Sequence, residues 1–213
     1  MKILIVQPHS DDALLSCYHL FDSTNKIVIL TVEDDQKRIS EDKQLQDIFN
    51  DVVIDNCKDT VDGTYSDYWK KHKIFNWREV LKLYIKKYDY GEYKHLKYQL
   101  IDKITKCKNK GFTIFVPFGA GHPFHLIIHK ICYNLADYFY RDFPHSYKTQ
   151  RGLRYFEEQK NNYRLVSSTD VTPFQAEKIR IFGEVYKSQR AFQFYEKNNL
   201  EKCYPEEIYE RIK

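Results

Sequence analysis

Ile3-Leu4-Ile5-Val6-Gln7-Pro8-His9-Ser10-Asp11-Asp12 joins a short apolar run to a proline and a cluster of polar residues, and a helix-compatible stretch over 13–21 follows. Four consecutive apolar residues closed by Pro8 read as a strand buried on both faces, followed by a loop and a helix. His9, Asp11 and Asp12 therefore fall at the carboxyl end of a strand. In open α/β sheets the loops at that end converge on the ligand crevice. An imidazole and two carboxylates within four residues are costly to enclose unless a positive charge lies among them. A divalent metal ion is the simplest such charge.

The alternation continues along the chain. Residues 26–32 read as a second buried strand, followed by the acidic turn Glu33-Asp34-Asp35. Residues 38–49 have helical spacing at Leu45, Ile48 and Phe49, and 51–55 read as a short strand. The region 58–93 is polar and aromatic, with helical spacing only over 78–88. A 3.6-residue period returns through Leu96, Leu100, Ile101, Ile104 and Cys107, and Gly111 supplies the stop. Residues 112–117 form a strand apolar on both faces, as a sheet covered by helices requires. After Gly119-Ala120-Gly121-His122-Pro123-Phe124-His125 the sequence predicts an apolar helix over 126–140, then a strand over 163–167 and a helix over 175–194. Strands alternating with helices predict an α/β fold, Rossmann-like, with three layers and a mainly parallel sheet. At 213 residues the chain is expected to form one domain, 1–213.

Composition narrows the function class. With 34 basic and 30 acidic residues spread along the chain, the net charge of +4 does not call for nucleic acid. No apolar stretch approaches ~18 residues and the N-terminus enters a strand at once, so a cytoplasmic protein without a membrane span is expected. Cys17, Cys57, Cys107, Cys132 and Cys203 are odd in number and lack ligand spacing, which suits structural thiols in a reducing compartment. The 18 Tyr and 14 Phe offer ring faces on which a sugar or a base could stack.

Two strand-end loops carry the chemistry: His9, Asp11 and Asp12 on the first, His122 and His125 on the second. One His and one Asp from the first with one His from the second make a three-ligand N/O site, leaving a fourth position to water as catalytic zinc sites do. A neighbouring carboxylate that is not a ligand can take a proton from that water, which suits metal-assisted hydrolysis. His129 shares the helix face of His125, but Ile127, Ile128, Ile131 and Cys132 around it mark a packing or supporting role. His19, His72, His95 and His145 show no partner pattern. Gly119-Ala120-Gly121 lacks the spacing and the Lys-Ser/Thr of a P-loop, and reads as backbone room beside the metal.

These motifs resemble those of the LmbE-like or PIG-L metal-dependent N-deacetylases, which carry P-H-x-D-D after the first strand and G-H-x-x-H later. Pro8-His9-Ser10-Asp11-Asp12 and Gly121-His122-Pro123-Phe124-His125 match them. Asp170-Val171-Thr172-Pro173, followed past Lys178 by Tyr186-Lys187-Ser188-Gln189, is similar to the family's C-terminal segment ending in S-Q. The resemblance covers roughly 2–32, 96–135 and 165–192. It implies that His9, Asp12 and His125 bind Zn2+ or another divalent metal, that Asp11 is the general base, and that His122 stabilises or protonates the tetrahedral intermediate. It also implies a small-molecule amino-sugar conjugate as partner and removal of its N-acetyl group. The sequence departs from the family at Ala13, where Glu is frequent, and at Phe124, where Asp is usual. Competing readings are a metal-containing sugar- or nucleotide-binding protein of the same fold without turnover, and a nucleotide-dependent transferase of similar architecture.

Overall fold

The computed structural model describes residues 1–33, 35–57, 94–189 and 203–212. Within them the strands β1 (Lys2–Gln7), β2 (Lys26–Thr31), β3 (Val52–Asn56), β4 (Thr113–Pro117), β5 (Tyr138–Tyr140), β6 (Tyr163–Thr169) and β7 (Glu206–Arg211) form one sheet in the order β3-β2-β1-β4-β5-β7-β6. The strands from β3 to β5 in that order are parallel, and β7 runs antiparallel to both β5 and β6. The protein is thus α/β with a mainly parallel mixed sheet.

Strand β1 is central because its side chains are apolar on both faces. Ile3 and Ile5 enter one buried cluster with Leu14, Ile29 and Phe182, while Leu4 and Val6 enter another with Leu100, Ile104 and Ile128. Helices cover the sheet: α1 (Asp12–Ser16), α2 (Gln36–Lys43), α3 (Leu45–Ile48), α4 (Lys94–Asn109), α5 (Pro123–Cys132), α6 (His145–Lys148), α7 (Gln150–Gln159) and α8 (Gln175–Val185). The chain leaves β1 toward β2 on one side, while β4 pairs on the other. The order therefore reverses between β1 and β4, and loops after these two strands bound the crevice where such sheets place ligands.

Several expected elements are shorter than the periodicity suggests. The helix over 13–21 stops at Cys17, after which Tyr18–Leu20 form a 3-10 turn. The helix over 38–49 is two helices, α2 and α3, meeting at Gln44. The helix over 126–140 begins at Pro123 and ends at Cys132, where the Cys132 carbonyl accepts the N–H groups of Leu135 and Ala136. Tyr138, Phe139 and Tyr140 instead pair with Phe115, Val116 and Pro117 of β4, a case of sheet context overriding the apolar run. The helix from Gln175 ends at Val185, with Lys187–Gln189 in a 3-10 turn and its remaining expected length outside the described residues. The helix expected over 78–88 also lies outside them. Strands β5 and β7 and the helices α6 and α7 were not expected. Thr149 caps α7 by accepting the N–H of Gly152 at 2.9 Å. Among the described residues, no helix is long and apolar enough to cross a membrane.

Candidate metal centre

The loop after β1 turns sharply: the His9 carbonyl accepts the N–H groups of Asp11 and Asp12 at 2.9 and 3.3 Å. Asp11 occupies the N-cap position of α1 without a side-chain cap bond. The Ala13 N–H donates instead to Gln7 Oε1 at 3.0 Å, so Gln7 takes over part of the capping and both aspartates keep their carboxylates for other partners. Asp12 Oδ2 accepts the His9 backbone N–H at 2.7 Å, folding its carboxylate back over the loop.

The second loop follows β4. Gly119 and Gly121 have φ of 84° and 82°, in the left-handed region that favours glycine. A Cβ on Gly119 would lie 2.9 Å from the His129 Cβ, and one on Gly121 would lie 2.8 Å from the His145 carbonyl oxygen. The chain can enter α5 this closely only with glycine at both positions. Pro123 stands in the first turn of α5, where its missing N–H costs nothing.

The two loops bring three ligand-type atoms together. His9 Nδ1 and His125 Nε2 are 3.1 Å apart, His9 Nδ1 and Asp12 Oδ2 3.4 Å, and His125 Nε2 and Asp12 Oδ2 3.3 Å. A tetrahedral ion bound at ~2.0–2.1 Å needs ligand atoms about 3.3 Å apart. The triangle is one face of such a tetrahedron, so the donor set fits a zinc-like divalent ion. One nitrogen each from His9, His122 and His125 also lie within 4.8 Å of one another. We favour the set with Asp12, because its edges match that spacing and it adds an anionic oxygen.

Asp142 fixes the tautomer of His125. It is fully buried just beyond β5; Oδ1 lies 2.6 Å from His125 Nδ1, and Oδ2 accepts the Ala120 N–H at 3.1 Å. His125 Nδ1 therefore carries the proton, and its Nε2 lone pair faces His9 and Asp12. A carboxylate behind a ligand histidine is the usual support of metal sites. Burial holds His9 down at about 3 and His125 at about 4, leaving both imidazoles neutral as ligation requires. Burial pushes the Asp142 carboxyl up to about 7.

Asp11 is held by an ion pair. Its Oδ2 is 3.1 Å from Arg38 Nη2, and Arg38 Nη1 is 2.9 Å from Glu33 Oε1. Glu33 Oε2 accepts the Ser10 N–H at 2.9 Å, so the acidic turn after β2 clamps the first loop through Arg38. Burial raises the Asp11 pKa well above the usual carboxylate range, and Arg38 opposes that rise. His122 is half-buried, with its ring centroid 4.9 Å from both His9 and His145. Burial, then His9, His145 and His125, hold it well below the usual imidazole value. Phe124 is buried with its ring 5.6 Å from His9, an apolar wall beside the triangle.

Protein-family models, curated proteins and solved structures were compared with the chain, and none matches.

His9, Asp12, His122 and His125 thus converge, and Asp11 adjoins them through a separate ion pair. His129 is a core residue: its Nδ1 lies 2.9 Å from the Pro117 carbonyl oxygen and its Nε2 3.3 Å from the Tyr163 hydroxyl. The S-Q segment meets α2, where Glu41 accepts the Ser188 N–H at 2.7 Å and its hydroxyl at 2.5 Å. Asp170 is exposed and binds the Thr172 N–H and hydroxyl. Sequence reading missed Asp142, His145 and Arg38. Asp142 is hidden in the sequence because the apolar run through 138–140 has helical spacing; the signal present is an acid shortly after Tyr138-Phe139-Tyr140. Arg38 had no signal beyond lying shortly after a strand end.

Proposed function

We propose that the protein is a metal-dependent hydrolase that removes the N-acetyl group from an N-acetylglucosamine-type sugar or conjugate, built as a three-layer Rossmann-like fold of the LmbE-like kind. One observation carries this reading: the buried triangle of His9 Nδ1, Asp12 Oδ2 and His125 Nε2, with edges of 3.1 to 3.4 Å. Zn2+ or another divalent ion held there supplies a Lewis acid that polarises the acetamido carbonyl and acidifies water.

The chain's own residues do the rest. The Asp11 carboxylate accepts the proton of the attacking water, its orientation held by Arg38. His122, neutral in its enclosed position, donates an N–H to the oxyanion that develops on the acetamido oxygen. Asp11 then returns the proton to the departing nitrogen as the C–N bond breaks, giving acetate and a free amine. Phe124 keeps the triangle dry on one side.

Metal analysis of the purified protein combined with acetate release from N-acetylglucosamine and its conjugates tests the proposal. Bound metal with acetate release supports it. Metal without release on any amino sugar favours a sugar- or nucleotide-binding protein of the same fold, and activity on a peptide or nucleobase amide overturns the substrate class.

A further inference from the structure

The loop after β5 reaches the site as a third strand-end loop, and one of its side chains has no part in the chemistry described above. Asp142 opens this loop and His145 follows three residues later, at the start of α6. The Asp142 carbonyl accepts the Ser146 N–H at 2.9 Å and the Ser146 hydroxyl at 2.6 Å, which ties the two together. The His145 main chain is clamped as well. Its carbonyl accepts the Thr149 hydroxyl at 2.9 Å, and a Cβ on Gly121 would lie 2.8 Å from the same oxygen, one on Gly152 closer still. Only glycine admits the His145 backbone this near to Gly121, the residue before His122.

Packing, and not hydrogen bonding, places the His145 ring. Its centroid lies 4.9 Å from that of His122 and 5.0 Å from that of His125. His9, Asp12 and Asp142 are near enough to act on it electrostatically. The residue is half-buried, and among the described residues no hydrogen bond engages its ring nitrogens. Enclosed polar groups are nearly always hydrogen-bonded, so a ring left open beside a site points to a ligand. Two N–H···O bonds of about 2.9 Å that meet at one oxygen bridge nitrogens up to about 5.8 Å apart. The spacing of the His122 and His145 rings falls inside that reach.

We propose that His145 is a second oxyanion donor, giving a ring N–H beside that of His122 to the acetamido oxygen as negative charge develops there. The inference rests on the hydrolysis proposed above. A tetrahedral oxyanion has lone pairs for more than one donor, and donors fixed in advance stabilise it without reorganisation.

The test uses full-length protein loaded with Zn2+, in wild-type form and as His145→Ala, His145→Asn and His145→Gln. Asn places an amide N–H near the Nδ1 position and Gln near Nε2. Metal content, acetate release from N-acetylglucosamine conjugates and calorimetric titration with acetate are measured on each. All four forms should hold metal. His145→Ala should lower kcat by about 10² to 10³ with KM little changed, the loss typical of one oxyanion donor, and either Asn or Gln should recover at least tenfold. Acetate should bind His145→Ala about fivefold more weakly than wild type, the worth of one hydrogen bond. Loss of metal in His145→Ala, wild-type turnover in it, or Asn and Gln forms both as slow as Ala would overturn the role of His145 and leave the proposed hydrolysis standing. Wild-type protein that holds metal but releases no acetate would overturn the hydrolysis instead, and acetate affinity then decides for His145: a fivefold loss in Ala supports it as an oxygen-binding donor, and equal affinity overturns it. Wild-type protein that holds no metal overturns both.

Discussion

Two buried polar clusters in this protein look alike in composition and differ in what balances them. In one, Lys178 Nζ donates to Glu206 Oε1 at 2.6 Å and to the Leu15 carbonyl at 2.7 Å, while Glu206 Oε2 meets the His19 N–H and ring at 2.9 and 2.6 Å. Every charge there has its opposite within the chain. In the other, His9, Asp12 and His125 turn ligand-type atoms toward one another, and Arg38 beside them is engaged by Asp11 and Glu33. A carboxylate and a histidine are common to both, so residue types alone do not separate a structural cluster from a binding one. The separating feature is the source of the cation: Lys178 in the first, and in our reading a metal ion in the second.

The largest expected effect breaks this comparison directly. His9→Ala or His125→Ala should abolish stoichiometric metal, measured by mass spectrometry after dialysis, whereas Lys178→Met should leave it unchanged. Full metal content in both histidine variants would refute the assignment. Next, Asp11→Asn should retain metal and lower kcat by about 10² to 10⁴, because an amide of the same size cannot accept the water's proton. A near wild-type rate would move the base elsewhere.

Lys178→Met should destabilise the fold by about 3–5 kcal/mol in urea titrations, since it leaves Glu206 buried without its cation. A loss below about 1 kcal/mol would show that His19 alone suffices to balance Glu206. Asp142→Asn should weaken metal affinity ten- to a hundredfold without removing it. The amide offers one acceptor where the carboxylate offers two, so either His125 Nδ1–H or the Ala120 N–H loses its partner. Unchanged affinity in competition with a chelator would show that the His125 ring is held by packing alone.

The smallest effect is in acid. Burial alone would raise the Glu206 pKa, but Lys178 and the hydrogen bonds from His19 overcome it and hold it below its usual value of about 4.5. Its contribution is therefore fully present above that value and is lost as pH falls through the lower folded value. The stability difference between wild type and Glu206→Gln should be constant from about pH 5 to 7 and shrink below about pH 4.5. A difference that grew on acidification would reverse the sign.

The parallel half of the sheet is legible in the sequence because β1, β2 and β4 are apolar on both faces and each is followed by a loop of distinct composition. The other half is not. Strand β5 is three residues long and follows an apolar helix without a proline or glycine between them, and β7 is a charged segment, Glu206–Arg211, whose strand character comes from pairing with β5 and β6. His9, Asp12, His122 and His125 stand out because two short clusters of ligand-type residues follow two strands. Asp142 and Arg38 do not, since a single acid or base in a loop looks like any solvated residue until its partners are known.

By itself, then, the sequence determined the strand–loop–helix units and the ligand-type residues at their junctions, because burial pattern and turn chemistry are local. Only the tertiary structure decided that His9 and His125, 116 positions apart, meet at 3.1 Å. Only it showed that Asp142 backs His125, and that Arg38 rather than solvent faces Asp11. Those pairings follow from strand order and register, and a parallel sheet sets them through contacts between segments that share no local signal.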